Sequence, residues 1–271
     1  GMELGADDYL TKPFTRADLL GAIAIRLEKQ VAIDRQSEKK LDDLRSSITL
    51  SLPHELRTPL NGILGFSELL LEECEVLEPQ EVREMAEGIN KSGKRLLRLI
   101  QNFLLYAELE LIATDPQRLK MLDNNATVFP TNGITTLITQ RAKQANREAD
   151  LKLDLHPCTV KIAETKLWKI VEELVDNAFK FSLDGTLVYV TSRVVNNAFT
   201  LSVIDQGRGM TAAQIAEVGA YKQFERKLYE QQGSGLGLII AKRLAQLHGG
   251  ELKIQSQPGE STTVQVILPG S

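Results

Sequence analysis

Two long amphipathic segments in the first half of the chain constrain its fold more than any other feature. Apolar residues recur at intervals of three and four, first at Leu41, Leu44, Ile48, Leu52 and Leu56 and then at Val82, Met85, Ile89, Leu96, Ile100 and Phe103. This spacing predicts two helices, each with one apolar stripe. The stretch LEECEVLEPQE separates them, and Pro79 is well placed to begin the second helix. Residues 29–112 are therefore predicted to form a helical hairpin.

A single hairpin cannot bury a whole apolar face by itself, whereas two hairpins can bury theirs together as a four-helix bundle. We therefore expect a homodimer that is joined through residues 29–112. The alternative is that the apolar stripe packs against another domain of the same chain.

Residues 113–271 mix two periodicities. The segments ETKLWKIVEELVDNAFKFS and GLGLIIAKRLAQLHGG have the pattern of helices, while GTLVYVTSRVV, FTLSVID and ELKIQSQ alternate like strands. Because several strands follow one another directly, the pattern favours an α+β sandwich with helices on one face of a mixed sheet. The predicted architecture is multidomain, with a short leading segment at 1–28, an all-α hairpin at 29–112 and the sandwich at 113–271.

Composition excludes several classes of protein. The 271 residues carry a formal net charge of -4, which argues against a sequence-independent nucleic-acid binder because such a protein needs a basic surface. No apolar run reaches the length of a membrane span. Cys74 and Cys158 lie far apart and fit no metal spacing, so a zinc site is not expected. We expect a cytoplasmic protein with no direct nucleic-acid partner.

The stretch SLPHELRTPLNGILG, residues 51–65, places a histidine between two prolines inside a helical pattern. His54 falls roughly 200° around the helix from the apolar stripe, so we expect it to face water. Glu55 can accept a proton from one ring nitrogen and leave the other as a nucleophile. Arg57 and Thr58 offer a cation and a hydroxyl to an incoming phosphate. The alternative is an exposed histidine without a function.

The two prolines in this stretch weaken the helix. Pro53 and Pro59 lack an N–H for the helical ladder, and a proline in a helix interior costs roughly 3 kcal/mol. We hypothesise that they let the helix bend beside His54, so that a signal can move a second domain onto or off the histidine. The alternative is a chance kink.

Three patterns in the second half of the chain suit a nucleotide. Asp205 follows a predicted strand and can accept a hydrogen bond from an exocyclic amine such as that of adenine, while the glycines of IDQGRGM let the backbone approach a flat ligand. The glycines of GSGLGL open a predicted helix and suit a phosphate chain. Glu173, Asn177 and Lys180 share one helix face, where an amide oxygen can coordinate Mg²⁺ and a lysine can pair with phosphate. Each pattern alone is weak, but together they are specific.

The combination resembles the catalytic core of a sensor histidine kinase of a two-component system. HELRTPL resembles the phosphoacceptor box of that family, ELVDNAFKFS its asparagine box, QFER its phenylalanine box, DQGRGM and GSGLGLIIAKRL its two glycine boxes, and GESTTVQVILP its closing strand. The resemblance covers residues from about 30 to 271. It implies autophosphorylation with ATP and Mg²⁺, transfer to an aspartate on the receiver domain of a response regulator, and room for a phosphatase activity toward that regulator.

The resemblance also implies roles for individual residues. His54 would receive the phosphoryl group, Glu55 would act as its acid/base partner, and Thr58 would orient a water for dephosphorylating a partner. Asn177 would ligate Mg²⁺ and Lys180 would approach the phosphates. The remaining nucleotide contacts would come from the adenine pocket, the glycine-rich loop and a mobile lid at 219–232, with Asp205, Gly207, Gly209, Phe224, Arg226, Gly233, Gly235, Leu236, Gly237 and Thr262.

Glu173 departs from the family pattern, which usually has asparagine at this position. Gyrase-like ATPases of the same superfamily carry a glutamate there as the base for water attack. This leaves open whether Glu173 helps to activate His54, tunes Mg²⁺ binding or favours ATP hydrolysis. Ser261 also stands where glycine is common. The alternative to a kinase is a catalytically weak, nucleotide-binding dimeric scaffold.

The opening stretch GMELGADDYLTKPF resembles the last strand and loop of a receiver domain, with Lys12 before a candidate cis Pro13. We expect residues 1–28 to be the C-terminal remnant of a receiver followed by a linker helix, in a chain that is a fragment of a longer protein. Asp7 and Asp8 are not expected to be the phosphoacceptor of that receiver.

Overall fold

The computed structural model describes residues 15–16, 20–21, 23–28, 52–73, 75–122, 127–195, 197–219 and 236–270. The chain divides into two units, residues 1–48 and 49–271. In the first unit, residues 23–28 are helical. The stretch that resembles a receiver tail, and the apolar stripe before Leu52, lie outside the described residues.

The second unit begins with the predicted helical hairpin. Helix α1 spans Leu52–Glu73 and runs without interruption through Pro59, and helix α2 spans Pro79–Thr114. Pro79 lies in the first turn of α2, where its missing N–H costs nothing, and Glu78 forms a capping box there. The hairpin is confirmed, although α2 extends past the predicted end at residue 112.

Two glycines bring the helices of the hairpin close together. A Cβ on Gly62 would lie 2.7 Å from Ser92 Oγ, and a Cβ on Gly88 would overlap the ring of Phe66. Both glycines therefore leave room for a side chain of the opposite helix.

Short elements that the sequence analysis did not predict connect the hairpin to the sheet. Helix α3 spans Pro116–Leu122, and strand β1, Thr127–Val128, pairs antiparallel with strand β3, Thr159–Val160. Helix α4 spans Thr131–Gln144. It ends shortly before Asn146, whose φ of 55° is left-handed and turns the chain.

A five-stranded sheet forms the centre of the second half. Its strands are β2 (Leu151–Asp154), β4 (Val188–Val195), β5 (Ala198–Asp205), β6 (Glu251–Gln257) and β7 (Ser261–Pro269), in the order β2-β4-β5-β7-β6. The β2–β4 pair is parallel and the other pairs are antiparallel. The predicted mixed sheet is therefore confirmed.

Helices cover this sheet and bury its apolar residues. Helix α5 spans Glu164–Phe181, α6 spans Ala212–Gly219 and α7 spans Leu236–Leu247; α6 was not predicted. Helices α4, α5 and α7 pack against the strands. Fully buried side chains from both layers form the core, among them Ile138, Ile170, Val171, Leu201, Leu244 and Val266. This is the predicted α+β sandwich.

Among the helices that the structure describes, none has both the length and the apolar content to cross a membrane.

Candidate functional site

Helix α5 carries three of the predicted site residues and divides them between interior and surface. Its apolar side is buried against the core through Leu167, Ile170, Val171, Leu174, Val175 and Ala178. Glu173 is also buried, with 3% of its surface exposed, whereas Asn177 is half-buried and Lys180 is exposed. The three residues predicted to share one face therefore become more exposed toward the C-terminal end of α5.

The predicted adenine pocket is assembled across the sheet. Asp205 ends β5, and the β5–β7 register pairs it with Thr262. Both residues are buried. The N–H of Gly207 donates to Asp205 Oδ1 at 2.9 Å, and Thr262 Oγ1 lies 2.9 Å from Ser256 Oγ on β6. The fold thus brings two motifs that are distant in sequence side by side.

The Asp205 carboxylate suits an amine donor. Burial raises the pKa of Asp205 to about 6, and the Gly207 N–H and then Arg147 act against that rise. Among the described residues, the carboxylate accepts one hydrogen bond, through Oδ1. At neutral pH the group is ionised, and Oδ2 can accept a hydrogen bond from an amine such as the exocyclic amine of adenine.

The loop after β5 needs its two glycines because other backbone lies against them. A Cβ on Gly207 would overlap the carbonyl of Phe181, and a Cβ on Gly209, whose φ is 65°, would overlap the carbonyl of Gln257. The N–H of Arg208 also donates to Phe181 O at 3.2 Å. The glycines predicted to line the base pocket join the end of α5 to the β6–β7 turn.

Arg147 fixes the end of α5 and was not predicted. Its guanidinium is buried and donates to the carbonyls of Phe179 and Ser182 at 3.1 Å, and to the Thr186 carbonyl at 2.8 Å. Ser182 in turn forms a β-bridge with Gly207. Arg147 therefore ties the C-terminus of α5 to the loop that carries the adenine pocket.

Lys180 lies in a region with excess positive charge. Partial burial, followed by repulsion from Arg95, Arg98 and Arg208, lowers its pKa to about 8, while Glu55 acts to raise it. The Arg208 guanidinium also stacks on the Phe181 ring, 4.4 Å from its centroid. Such a concentration of cations at the end of α5 suits a polyphosphate, which would relieve their repulsion.

The hairpin contributes Glu55 to the same region. Burial raises the pKa of Glu55 to about 7, with Arg95 and Lys180 acting to lower it. Glu55 is half-buried and Thr58 is exposed. His54 lies in the first described turn of α1, but its side chain lies outside the described part of the structure.

The predicted lid beyond residue 219 and the first three residues of the second glycine box lie outside the described residues. Residues 220–235 are not described, and with them Phe224, Arg226, Gly233 and Gly235. Leu236 and Gly237 are the first described residues of α7, and both are buried. A Cβ on Gly237 would overlap Glu173 Oε2, so this glycine admits the Glu173 carboxylate beside α7.

A magnesium ion would depend on Asn177. No group of three or more His, Cys, Asp or Glu side chains among the described residues could hold a metal. Mg²⁺ usually takes one or two protein ligands together with substrate phosphates and waters. The Asn177 side chain is half-buried near the C-terminal end of α5. Its amide oxygen therefore fits an ion that a nucleotide brings with it.

Two family models match the chain. The model described as "His Kinase A (phospho-acceptor) domain" matches residues 44–111, and the model described as "Histidine kinase-, DNA gyrase B-, and HSP90-like ATPase" matches residues 162–271. The two matches identify a phosphoacceptor domain and an ATPase domain of the histidine kinase type within this chain. The first match includes His54 and Glu55. The second includes Asp205, and its ATPase description implies ATP binding.

Curated relatives agree with this assignment. "Histidine protein kinase DivJ" of Caulobacter vibrioides is 31% identical over 97% of this chain and 44% of its own length. "Cell-division control histidine kinase PdhS" of Brucella anthropi is 29% identical over 90% of this chain and 24% of its own length. The chain therefore spans less than half the length of these relatives.

Solved structures of histidine kinases share the fold. The Acinetobacter baumannii kinase AdeS matches 80% of this chain and 98% of its own, with a TM-score of 0.59 and 19% identity. Full-length ShkA in complex with AMPPNP matches 80% of this chain and 44% of its own, with a TM-score of 0.53 and 23% identity. The predicted resemblance is confirmed for the hairpin and the sandwich, and the receiver tail stays a prediction.

Proposed function

We propose that this histidine kinase chain transfers the γ-phosphoryl group of ATP to His54 and then passes it to an aspartate on the receiver domain of a response regulator. The proposal treats residues 29–112 as the dimerisation and phosphotransfer domain and residues 113–271 as the ATP-binding domain.

The observation that carries the proposal is the proximity of two predicted site residues from different halves of the chain. Glu55, next to His54, favours the charged form of Lys180, and Lys180 favours the ionised form of Glu55. Because Coulombic effects weaken with distance, this reciprocal effect supports a position of Glu55 near the end of α5, where phosphates are expected.

In the proposed reaction, one ring nitrogen of His54 attacks the γ-phosphorus. The bond from that phosphorus to the β–γ bridging oxygen breaks, and ADP leaves. The proton on the other ring nitrogen passes to Glu55, so that a neutral phosphorylated imidazole remains. A carboxylate whose pKa is about 7 is well matched to this role near neutral pH.

Positioning and charge neutralisation supply most of the catalysis in phosphoryl transfer. Asp205 and Thr262 would hold the base, and Lys180 would approach the phosphates. Bound Mg²⁺, with Asn177 as its protein ligand, would neutralise charge on the phosphate oxygens. Arg208, stacked on Phe181, is a further cation near the same phosphates.

The homodimer remains part of the proposal. Apolar side chains on the hairpin are exposed in the single chain, including Leu60, Leu64, Leu69, Leu71, Leu97, Ile100, Leu104 and Leu111. Leu97 and Leu104 are 55% and 61% exposed. A second hairpin would bury these side chains as a four-helix bundle. The other side of α2, through Leu99, Tyr106 and Leu109, already packs against the ATP-binding domain.

Incubation with γ-labelled ATP and Mg²⁺ tests the proposal. Wild type should acquire label that is labile in acid and stable in base, as expected for a phosphoramidate, and His54→Gln should acquire none. Labelled protein should then lose its label to a receiver domain. Nucleotide binding without any label would instead support the dimeric scaffold, and phosphate release without labelled protein would support an ATPase.

A further inference from the structure

We propose that Arg98 and Asn102 of α2 form a latch with Glu173 and Asp176 of α5, and that this latch seats the ATP-binding domain on its own hairpin in the arrangement that permits transfer to His54. The inference rests on the proposed kinase function and assigns Glu173 a positioning role.

The latch consists of hydrogen bonds between two helices that are distant in sequence. Arg98 donates to Glu173 Oε1 at 3.1 Å and also to Asp176 Oδ2. Asn102 Nδ2 donates to the same Glu173 oxygen at 3.1 Å. Arg98 and Asn102 are four residues apart and therefore lie on one face of α2. The planar guanidinium can bind both carboxylates at once, which an ammonium group does less well.

Glu173 is held too firmly to serve as a free base. Its carboxylate is buried, and Lys169 Nζ lies 2.7 Å from Oε1 in addition to the two donors from α2. Burial alone would raise the pKa of Glu173, but Arg98 and Lys169 lower it below its usual value. Gly237 of α7 lies against Oε2. An ionised carboxylate with these partners matches an anchor better than a group that must take a proton from water.

The latch acts directly on the nucleotide-binding helix. Glu173 and Asp176 lie one turn and one residue before Asn177, and Lys180 follows one turn later. Because α5 is a continuous helix, fixing its middle to α2 fixes the direction of its C-terminal end. In the latched arrangement that end carries Lys180 beside Glu55. The latch therefore supports the arrangement in which the phosphates would face the phosphoacceptor helix.

The interface is built so that it can open. Asn102 Oδ1 and Arg243 Nε are buried without a hydrogen-bond partner among the residues described, and such groups destabilise the docked state. Arg243 Nη2 reaches Glu110 of α2 at 2.6 Å, so the second polar contact is also incomplete. The Arg98 side chain remains 39% exposed, and water can compete for it. The charged contacts of the latch therefore add to the apolar packing of α2, and their loss should weaken the docked state.

A double-mutant cycle tests the latch. The rate of His54 labelling should be measured at saturating ATP and Mg²⁺ for Arg98→Gln, Glu173→Gln and the double variant. Each single variant should slow labelling roughly tenfold or more, since each breaks hydrogen bonds to a charged group. The double variant should be no slower than the slower single variant, because both changes break one contact. The affinity for a non-hydrolysable ATP analogue should stay within about twofold of wild type, since Arg98 is neutralised by Glu173 and Asp176 and the latch residues are not among the proposed nucleotide contacts.

Arg83→Gln is the matched control. Arg83 also pairs with a glutamate, Glu87 at 3.1 Å, but both side chains are largely exposed on α2. Such a pair contributes little, and its loss should leave the labelling rate unchanged. Because Glu173 is buried, its replacement can also disturb the folding of α5. Asn102→Leu is a second variant that removes a latch donor without changing α5, and it should also slow labelling.

Four results would overturn the latch. The first is that Arg98→Gln labels His54 as fast as wild type or faster, and the second is that the effects of the two single changes multiply in the double variant. The third is that Glu173→Gln inactivates the protein while Arg98→Gln does not. The fourth is that the affinity for the ATP analogue falls as much as the labelling rate does. Wild type without any label would contradict the proposed kinase function separately. Hydrogen exchange would still decide whether the latch exists, because the α2 amides around residue 102 should exchange faster in Arg98→Gln than in Arg83→Gln.

Discussion

Replacing Asp205 by asparagine should stabilise the protein in the absence of nucleotide. Asp205 is 6% exposed, and burial raises its pKa from 3.8 to about 6. The ionised carboxylate is therefore buried in surroundings that disfavour its charge. A ligand that donates a hydrogen bond to it would offset this cost. Asparagine has the same shape, keeps an acceptor for the N–H of Gly207 and carries no charge.

The size of the effect follows from the pKa. Each tenfold change in proton affinity corresponds to about 1.4 kcal/mol, so the rise from 3.8 to about 6 corresponds to about 3 kcal/mol. Because the folded pKa lies above the unfolded one, the native state holds the proton more tightly, and stability falls as pH rises from about 4 through about 6. The full cost is present above pH 6. The value is an upper bound for Asp205→Asn, since the new amide must also be buried.

Urea unfolding at a series of pH values measures this difference. The variant should exceed wild type by up to about 3 kcal/mol at pH 7.5, and the difference should vanish near pH 4. Its affinity for an ATP analogue should fall roughly tenfold, because a charge-assisted hydrogen bond becomes a neutral one. Asp184→Asn is the control. That side chain is 95% exposed, and its ion pair with Arg147 at 3.7 Å contributes little, so the change should affect neither quantity. The reasoning would be refuted if the variant were no more stable than wild type at pH 7.5. It would also be refuted if the gain in the free energy of unfolding did not depend on pH.

Three further predictions concern the hairpin and its contact with the ATP-binding domain. The labelling rate should rise as the pH passes about 7, because Glu55 ionises, and fall as the pH passes about 8, because Lys180 loses its proton. In Glu55→Gln the rise at about pH 7 should be absent. A wild-type rate that does not change across this pH range would contradict the assignment. Gly237→Ala should lower the free energy of unfolding, measured in urea, by about 1–3 kcal/mol, because its Cβ overlaps the Glu173 carboxylate. This loss should be smaller in a Glu173→Ala background. An equal loss there would contradict the contact. Pro59→Ala restores an N–H to the ladder of α1 and should change the ratio of kinase to phosphatase activity, whereas an equal change in both would contradict the bending hypothesis.

Local patterns in the sequence determined most of the elements. The spacing of apolar residues predicted α1, α2 and α5 because a helix repeats every 3.6 residues, and Pro79 marked the start of α2 because it suits a first turn. Alternation predicted β4, β5 and β6, because successive side chains of a strand point to opposite faces of the sheet. The short elements β1, β3, α3 and α6 were missed, since they are too short to show a period.

Part of the candidate site was predicted from residue type and position in the same way. Asp205, Asn177 and Lys180 were chosen on this basis, and their roles stay predictions. Arg147 could not be identified, because its carbonyl partners lie 32 or more residues away and carry no side-chain signal. Arg95 and Arg208 were missed for a similar reason, since they approach Lys180 from another helix and another loop.

The sequence by itself therefore determined which elements form and which residue types are available for chemistry, because both depend on near neighbours in the chain. Only the tertiary structure decided what Glu173 contacts. Three roles for this glutamate were open from its position in the motif, and none involved Arg98 or Asn102, which precede it by 75 and 71 residues. Contacts over such separations arise when α2 and α5 pack, and packing depends on the shape and charge of two whole surfaces rather than on any local pattern.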